Sequence, residues 1–391
     1  MTIMLEDSLR DMFAAQVDTP PVADDPAGTV IRRGRVTRRR RAVGSLVAVA
    51  AALVLVTAGA ASLGGGWPPE RRSAGPAAGF DVDSLAEVTA GPVEPPTPGP
   101  DTGIGLDLRS GDQLWTTDGR RLSLAGVGEV TRVYRVPDGW VYAGAKQVRF
   151  LRPDGTSVAL SGEDDRWALS TDGDRLAFQL DTTLYLARIG ANGLALIDNV
   201  EVPAGTWPVA VTADRVVVSD GSRGYGFVDL ADRDRQPTRN ADVTAIYGVG
   251  GDGLVGLVRE VGGTRRCLAS LAPTSGKLRP VRSGGCGLGL RAEATDGGLT
   301  PDGHWLAERR GAEVVLIDVD RVLAGRNGVV SCPAAGDVPP VWADDRTVVT
   351  GDDKQVVRCR TDGTEQTVSL PDGVSEDWQL VPRLTAPADG R

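Results

Sequence analysis

A single histidine, His304, stands in the stretch "GLTPDGHWLAERRGAEVVLIDV", residues 298 to 319. With Asp302 two positions away it has the makings of a general base, since imidazole is the side chain that titrates near neutral pH. Nucleophile motifs do not accompany it. "DGSRG" (Asp220 to Gly224) lacks the leading glycine of a Gly-x-Ser-x-Gly elbow. "PTSGKL" (Pro273 to Leu278) lacks the upstream glycine and the hydroxyl after Lys277 that a phosphate loop needs, and reads as a turn. The many Asp-Gly pairs form no calcium loop of alternating oxygen ligands closed by Glu; hairpin chemistry accounts for them. These patterns call for no catalytic residue, metal or cofactor.

What positions His304 is a repeat. Displaced by 130 positions, the stretch meets "ALSTDGDRLAFQLDTTLYLARI", residues 168 to 189, without a gap. Asp302-Gly303 falls on Asp172-Gly173, Leu306-Ala307 on Leu176-Ala177, Val314 to Ile317 on Leu184 to Ala187, and His304 on Asp174. The pattern is strand, tight Asp-Gly hairpin, strand, short turn, strand. His304 therefore occupies an exposed turn position, filled by Asp174 and Trp140 in sister units. Looser copies carry Asp138, Asp214, Asp252 and Asp344. A unit of several short strands recurring about every 40 residues is the signature of propeller blades.

A second hairpin turns at Asp118, Asp154 and Asp362, and the first of these precedes every other anchor. A further, incomplete blade thus begins near Gly103. "EDWQLVPRL" (Glu376 to Leu384) has no blade of its own, so it is expected to join the first sheet and close the ring, satisfying edges that would otherwise aggregate. The fold expected over 103–384 is an all-β, seven-bladed β-propeller, with six blades as the alternative.

The segments "TPDGHWLA", "STDGDRLAF" and "VPDGWVYAG" resemble the motif of TolB-type and WD-repeat-like propellers. With the N-terminal features below, the whole resembles actinobacterial membrane-anchored propeller proteins. The resemblance implies a fold rather than an activity, because propellers host unrelated functions. The Trp-Asp and Gly-His pairs of true WD repeats are absent.

Upstream, "IRRGRVTRRRR" ends in Arg38, Arg39, Arg40 and Arg41, and Ala42 to Leu63 carries no charge. As a helix that run spans roughly 33 Å, close to a bilayer's hydrocarbon thickness. The arginines orient it with the N-terminus cytoplasmic and the bulk outside. A cleaved leader ending at "AGA" (Ala58 to Ala60) is the competing reading, disfavoured by the long segment before the apolar run. Residues 64–102, rich in Gly, Pro and Ala, read as a linker, and 385–391 as a tail. In the cytoplasmic 1–41, Leu5, Leu9, Met12 and Phe13 recur at helical spacing, an amphipathic face for a cytoplasmic partner or the membrane surface.

Four cysteines, Cys267, Cys286, Cys332 and Cys359, all follow the apolar run. An even number without Cys-x-x-Cys points to disulfides in an oxidising exterior rather than zinc. Of three connectivities, Cys267–Cys286 within one blade and its exit loop, and Cys332–Cys359 between neighbouring blades, are preferred. Trp140, Trp167, Trp207, Trp305, Trp342 and Trp378 recur near blade starts, placed to pack between sheets; a minority would line a rim for glycan or peptide.

A net charge of −9 argues against nucleic acid as partner. The sequence thus leads to a single-pass cell-membrane protein whose extracytoplasmic propeller binds a protein, peptide or glycan and is not an enzyme. The alternatives are an anti-sigma-like signalling regulator acting through the N-terminal helix, for which 41 residues are short, and an envelope hydrolase.

Overall fold

Runs such as Gly139–Gly144, Glu313–Asp318 and Thr347–Gly351 are short, rich in β-branched or aromatic residues and bounded by turns, so they form strands. They do not alternate apolar with polar. Gly139–Gly144 and Thr347–Gly351 are buried at every position. A strand covered on both faces reads as a continuous apolar run, which is what a sheet sandwiched between two neighbouring sheets requires.

The chain is seen in a computed structural model that describes residues 95–99, 101–161, 166–190, 193–212, 215–221, 224–232, 236–250, 253–274, 276–291, 297–333, 336–352, 354–375 and 377–384. The apolar run 42–63, Arg38 to Arg41, Leu5, Leu9, Met12, Phe13 and the anchors Asp214 and Asp252 lie outside them. Among the described residues no helix is long and apolar enough to cross a membrane.

Seven antiparallel sheets follow one another along the chain. Five contain four strands; the sheet of Trp207–Val211, Arg215–Ser219 and Tyr225–Asp229 has three; the first has five. This is a seven-bladed β-propeller, and the six-bladed alternative is dismissed. In the first blade the inner strand is Gln379–Leu380, from the far end of the chain, paired antiparallel with Leu108–Ser110. The ring is therefore closed as the sequence leads one to expect. The linker assignment needs one correction: Thr97–Pro98, placed in it, pairs with Arg120 and Arg121 as the outermost strand of the first blade.

The register reproduces the sequence repeat. Leu176 pairs with Ala187 in the third blade, and Leu306 with Ile317 in the sixth. The core lies between successive sheets. Leu306 and Ile317 pack with Val255, Leu257 and Leu268 of the fifth blade. Ala307, Val314 and Leu316, on the opposite face, pack with Trp342 and Val348 of the seventh. Each fully buried leucine contributes about 1.5–3 kcal/mol, so the ring's stability is spread over many small interfaces.

Beyond the closing strand, residues 381–384 cross the inner rim. Arg135 donates its backbone N–H to Pro382 O at 2.8 Å, and Leu384 returns one to Arg135 O at 2.8 Å. Buried Asp107 anchors the same corner, accepting from Trp140 Nε1 at 2.7 Å, Arg135 Nη1 at 2.9 Å and Thr117 N at 2.8 Å. These bonds satisfy a carboxylate that would otherwise be costly to bury.

Candidate functional site

In an up-and-down sheet the first-to-second and third-to-fourth turns leave from the same side. The Asp-Gly hairpins of both kinds therefore gather on one face of the ring. Their local construction is shared. In the sixth blade Thr300 N donates to Trp305 O at 2.8 Å, and Gly303 N to Thr300 O at 2.9 Å. The Thr300 hydroxyl donates to Asp302 and accepts from Trp305 N at 3.0 Å. Asp302 Oδ1 also takes the His304 N–H at 3.0 Å. Gly303 sits at φ 75°, left-handed backbone where a Cβ is strained. A small hydroxyl, Asp, then Gly is thus a self-capped hairpin, with side chains satisfying the donors that the turn exposes. Several of these hairpins carry a hydroxyl two positions before the Asp, present as Thr116, Ser170 and Thr300, whose capping role the sequence did not reveal.

Hydrogen bonds also lower the pKa of several of these aspartates. Hydrogen bonds from Arg120 hold Asp118 below the usual carboxylate range, and bonds from Thr156 and Thr364 do the same for Asp154 and Asp362.

His304 is exposed, as a turn position requires, but it is not solitary. Its imidazole donates through Nδ1 to Asp320 Oδ2 at 2.9 Å. That bond raises the His304 pKa above its ordinary value, against some desolvation, with help from Asp302 and Asp318. Asp320 comes from a short helix, Val319–Leu323, inserted between the third and fourth strands of the sixth blade. Asp318 caps it by accepting from Arg321 N at 2.9 Å. Val319, Val322 and Leu323 anchor it in the core against the fifth blade, and Val319 N donates to His304 O at 2.9 Å. Helix and turn are thereby held together.

Between the fifth and sixth blades, under this contact, lies a cavity of about 70 Å³. Val255, Val319 and Leu323 give it apolar walls; Gly250, Gly253 and Gly303 give it backbone; Ser270, Arg282, His304 and Asp320 supply its polar groups. Ser270 is buried on the strand face it shares with Leu268, toward the sixth blade. Arg282 approaches Asp320 at 3.8 Å. Sequence reasoning passed over Ser270, Arg282 and Asp320. Asp320 falls opposite Gly190 in the sister repeat, and that departure was the one signal available.

The cysteines form two bridges. Cys267–Cys286 joins the third strand of the fifth blade to the residues after its fourth, with 3.9 Å between Cα atoms. Cys332–Cys359 joins the outer strand of the sixth blade to the third strand of the seventh, with 6.3 Å between Cα atoms. Of the repeated tryptophans, Trp140, Trp167, Trp342 and Trp378 are buried between sheets; Trp207 and Trp305 are half-buried.

The class is that of the seven-bladed β-propellers. No protein-family model matches the sequence, and no curated protein does. Among solved structures the chain is similar to apo AztD from Citrobacter koseri, at 12% identity and TM-score 0.47, over 69% of this chain and 84% of that one. A functionally unknown protein from Desulfotomaculum acetoxidans is similar at 9% identity and TM-score 0.46, over 71% and 99%. BamB from Moraxella catarrhalis follows at 15% identity and TM-score 0.37, over 62% and 76%. Likeness this distant concerns the fold and carries no function.

Proposed function

We propose that the chain is a membrane-tethered, extracytoplasmic propeller that acts as a non-catalytic binding module of the cell envelope, its ligand a protein, peptide or glycan. The observation that carries this reading is that all four cysteines are disulfide-bonded. Such bonds persist in oxidising compartments. The charge-free run 42–63 after the arginine cluster supplies the tether, as in the actinobacterial membrane-anchored propellers that the sequence resembles. Rigid blades with a face of polar hairpins suit recognition, and the cleft beside His304 opens beside those hairpins.

Protease treatment of intact cells tests the placement. Digestion of the C-terminal domain with protection of the first 41 residues is the expected outcome. A protected C-terminal domain whose cysteines react with maleimide without prior reduction would overturn it. The N-terminal pattern of Leu5, Leu9, Met12 and Phe13 favours a second role, contact with a cytoplasmic regulator. Photo-cross-linking from Leu9 or Met12 reads it out: a reproducible cytoplasmic adduct supports it, and its absence rejects it.

A further inference from the structure

The cleft between the fifth and sixth blades has a definite charge. His304 is faced by Asp302 of its own turn, by Asp318 and Asp320 at the start of the helix, and by Asp345 of the neighbouring blade's turn. Among the described residues that line the cavity, the permanent cation is Arg282 of the fifth blade. With His304 neutral the surroundings are therefore anionic. An acidic cluster alone indicates nothing, because solvated carboxylates are common; three further observations give this one a ligand chemistry.

First, one of these acids, Asp320, lines a cavity with aliphatic walls of Val255, Val319 and Leu323. Second, Ser270 is only 4% exposed, lies on the wall of that cavity, and has no side-chain hydrogen-bond partner among the described residues. That hydroxyl lines the cavity and is open to a hydrogen bond from a ligand. Third, Asp320 is only half used. Its Oδ2 accepts from His304, whereas Oδ1 has Arg282 Nη2 at 3.8 Å, beyond hydrogen-bond reach.

We propose that this cleft binds an alkylammonium group. Its charge is matched by Asp320 Oδ1, an N–H donates to the Ser270 hydroxyl, and its methylenes lie along Val255, Val319 and Leu323. The cavity's volume admits the ammonium and a few carbons, so the rest of the ligand projects from the turn face. Both a free amine and a lysyl side chain carry this chemistry. The assignment rests on the reading of the protein as a binding module, but not on which side of the membrane the propeller lies. Protease accessibility and amine binding can therefore fail separately.

The cation and the His304 proton compete for Asp320, so binding tightens as pH rises through the His304 titration. His304 is also the only histidine, so its Cε1 resonance in the full-length, detergent-solubilised protein is unambiguous. The experiment titrates ¹³Cε1-histidine-labelled protein with n-butylammonium chloride at about pH 8 and about pH 5.5. Potassium chloride at matched ionic strength and n-butanol serve as controls.

A saturable displacement seen with butylammonium alone, at least about threefold tighter at the higher pH, is expected. Asp320→Asn should abolish it. Ser270→Ala should weaken it roughly two- to tenfold while leaving the free protein's His304 resonance in place. Nα-acetyl-lysine methylamide then separates the sources: displacement by it as well identifies a polypeptide side chain, and failure beside a positive butylammonium result identifies a free amine. No saturable displacement, an equal response to potassium chloride or n-butanol, or full binding by Asp320→Asn would overturn the proposal.

Discussion

The third and sixth blades carry the same hairpin and put it to different use. In both, a hydroxyl, an aspartate and a glycine cap the first turn, and the strands that follow share one register. In the third blade the next residue is Asp174, which lies 3.4 Å from Arg175 and 3.9 Å from Arg188 and ends in a surface ion pair. Burial and the neighbouring Asp172 raise the Asp174 pKa. In the sixth blade that residue is His304, its partner arrives on an inserted helix, and a cavity opens behind them. The scaffold is constant, and the insertion makes the site. On the proposed reading, function arises where one copy of the repeat departs from the rest.

The contrast can be tested by breaking each blade in turn. The largest effect is expected from covalent support, which the sixth blade has and the third lacks. Replacing both Cys332 and Cys359 with Ser should cost about 2–4 kcal/mol in urea unfolding. Under reducing conditions the wild type, which then loses both bridges, should lose more than this variant does. Next comes the turn glycine. Gly173→Ala forces a side chain into φ 71° with its Cβ 2.9 Å from Val136 Cγ1, and about 2 kcal/mol of destabilisation is expected.

A smaller loss should follow removal of the capping hydroxyls. Ser170→Ala and Thr300→Val each leave a turn N–H without its acceptor, at about 1 kcal/mol apiece by thermal unfolding. Similar costs in the two blades would show that the hairpin is common scaffold, and unequal costs would show that the helix has altered it. The smallest effect is on pH dependence. The folded-state pKa of His304 is raised, so its contribution is complete below the unfolded value of about 6.5 and is lost as pH rises through the folded value. His304→Asn should flatten stability against pH in that window, and Asp174→Asn should leave the window unchanged.

The ring itself was plain in the sequence because Asp-Gly hairpins and apolar runs recur at nearly fixed spacing, and each determines local structure by itself. Seven blades and closure by the last strand followed from counting them. The fourth blade's lack of a regular outer strand was not legible. The segment after Tyr225–Asp229 includes Pro237, which cannot donate to a ladder, and among the described residues it pairs with that strand through the bridge between Tyr225 and Asn240. Nor was the cleft legible. Ser270, Arg282, His304 and Asp320 are separated in sequence and meet only because the fifth and sixth sheets pack face to face. A histidine judged against its own repeat looked like an ordinary turn residue. Its partner was invisible until the helix was placed.

The strand that seals the first sheet has a consequence for how the molecule is made. Leu108 and Arg109 pair with Leu380 and Gln379, and Arg109 also donates to the carbonyl of Asp377, 268 positions later. Contacts so remote are slow to form. While synthesis proceeds, the opening sheet must wait with a bare edge for the other six blades to emerge. A product halted before Gln379 would keep that edge exposed, the condition under which half-made chains pair with one another.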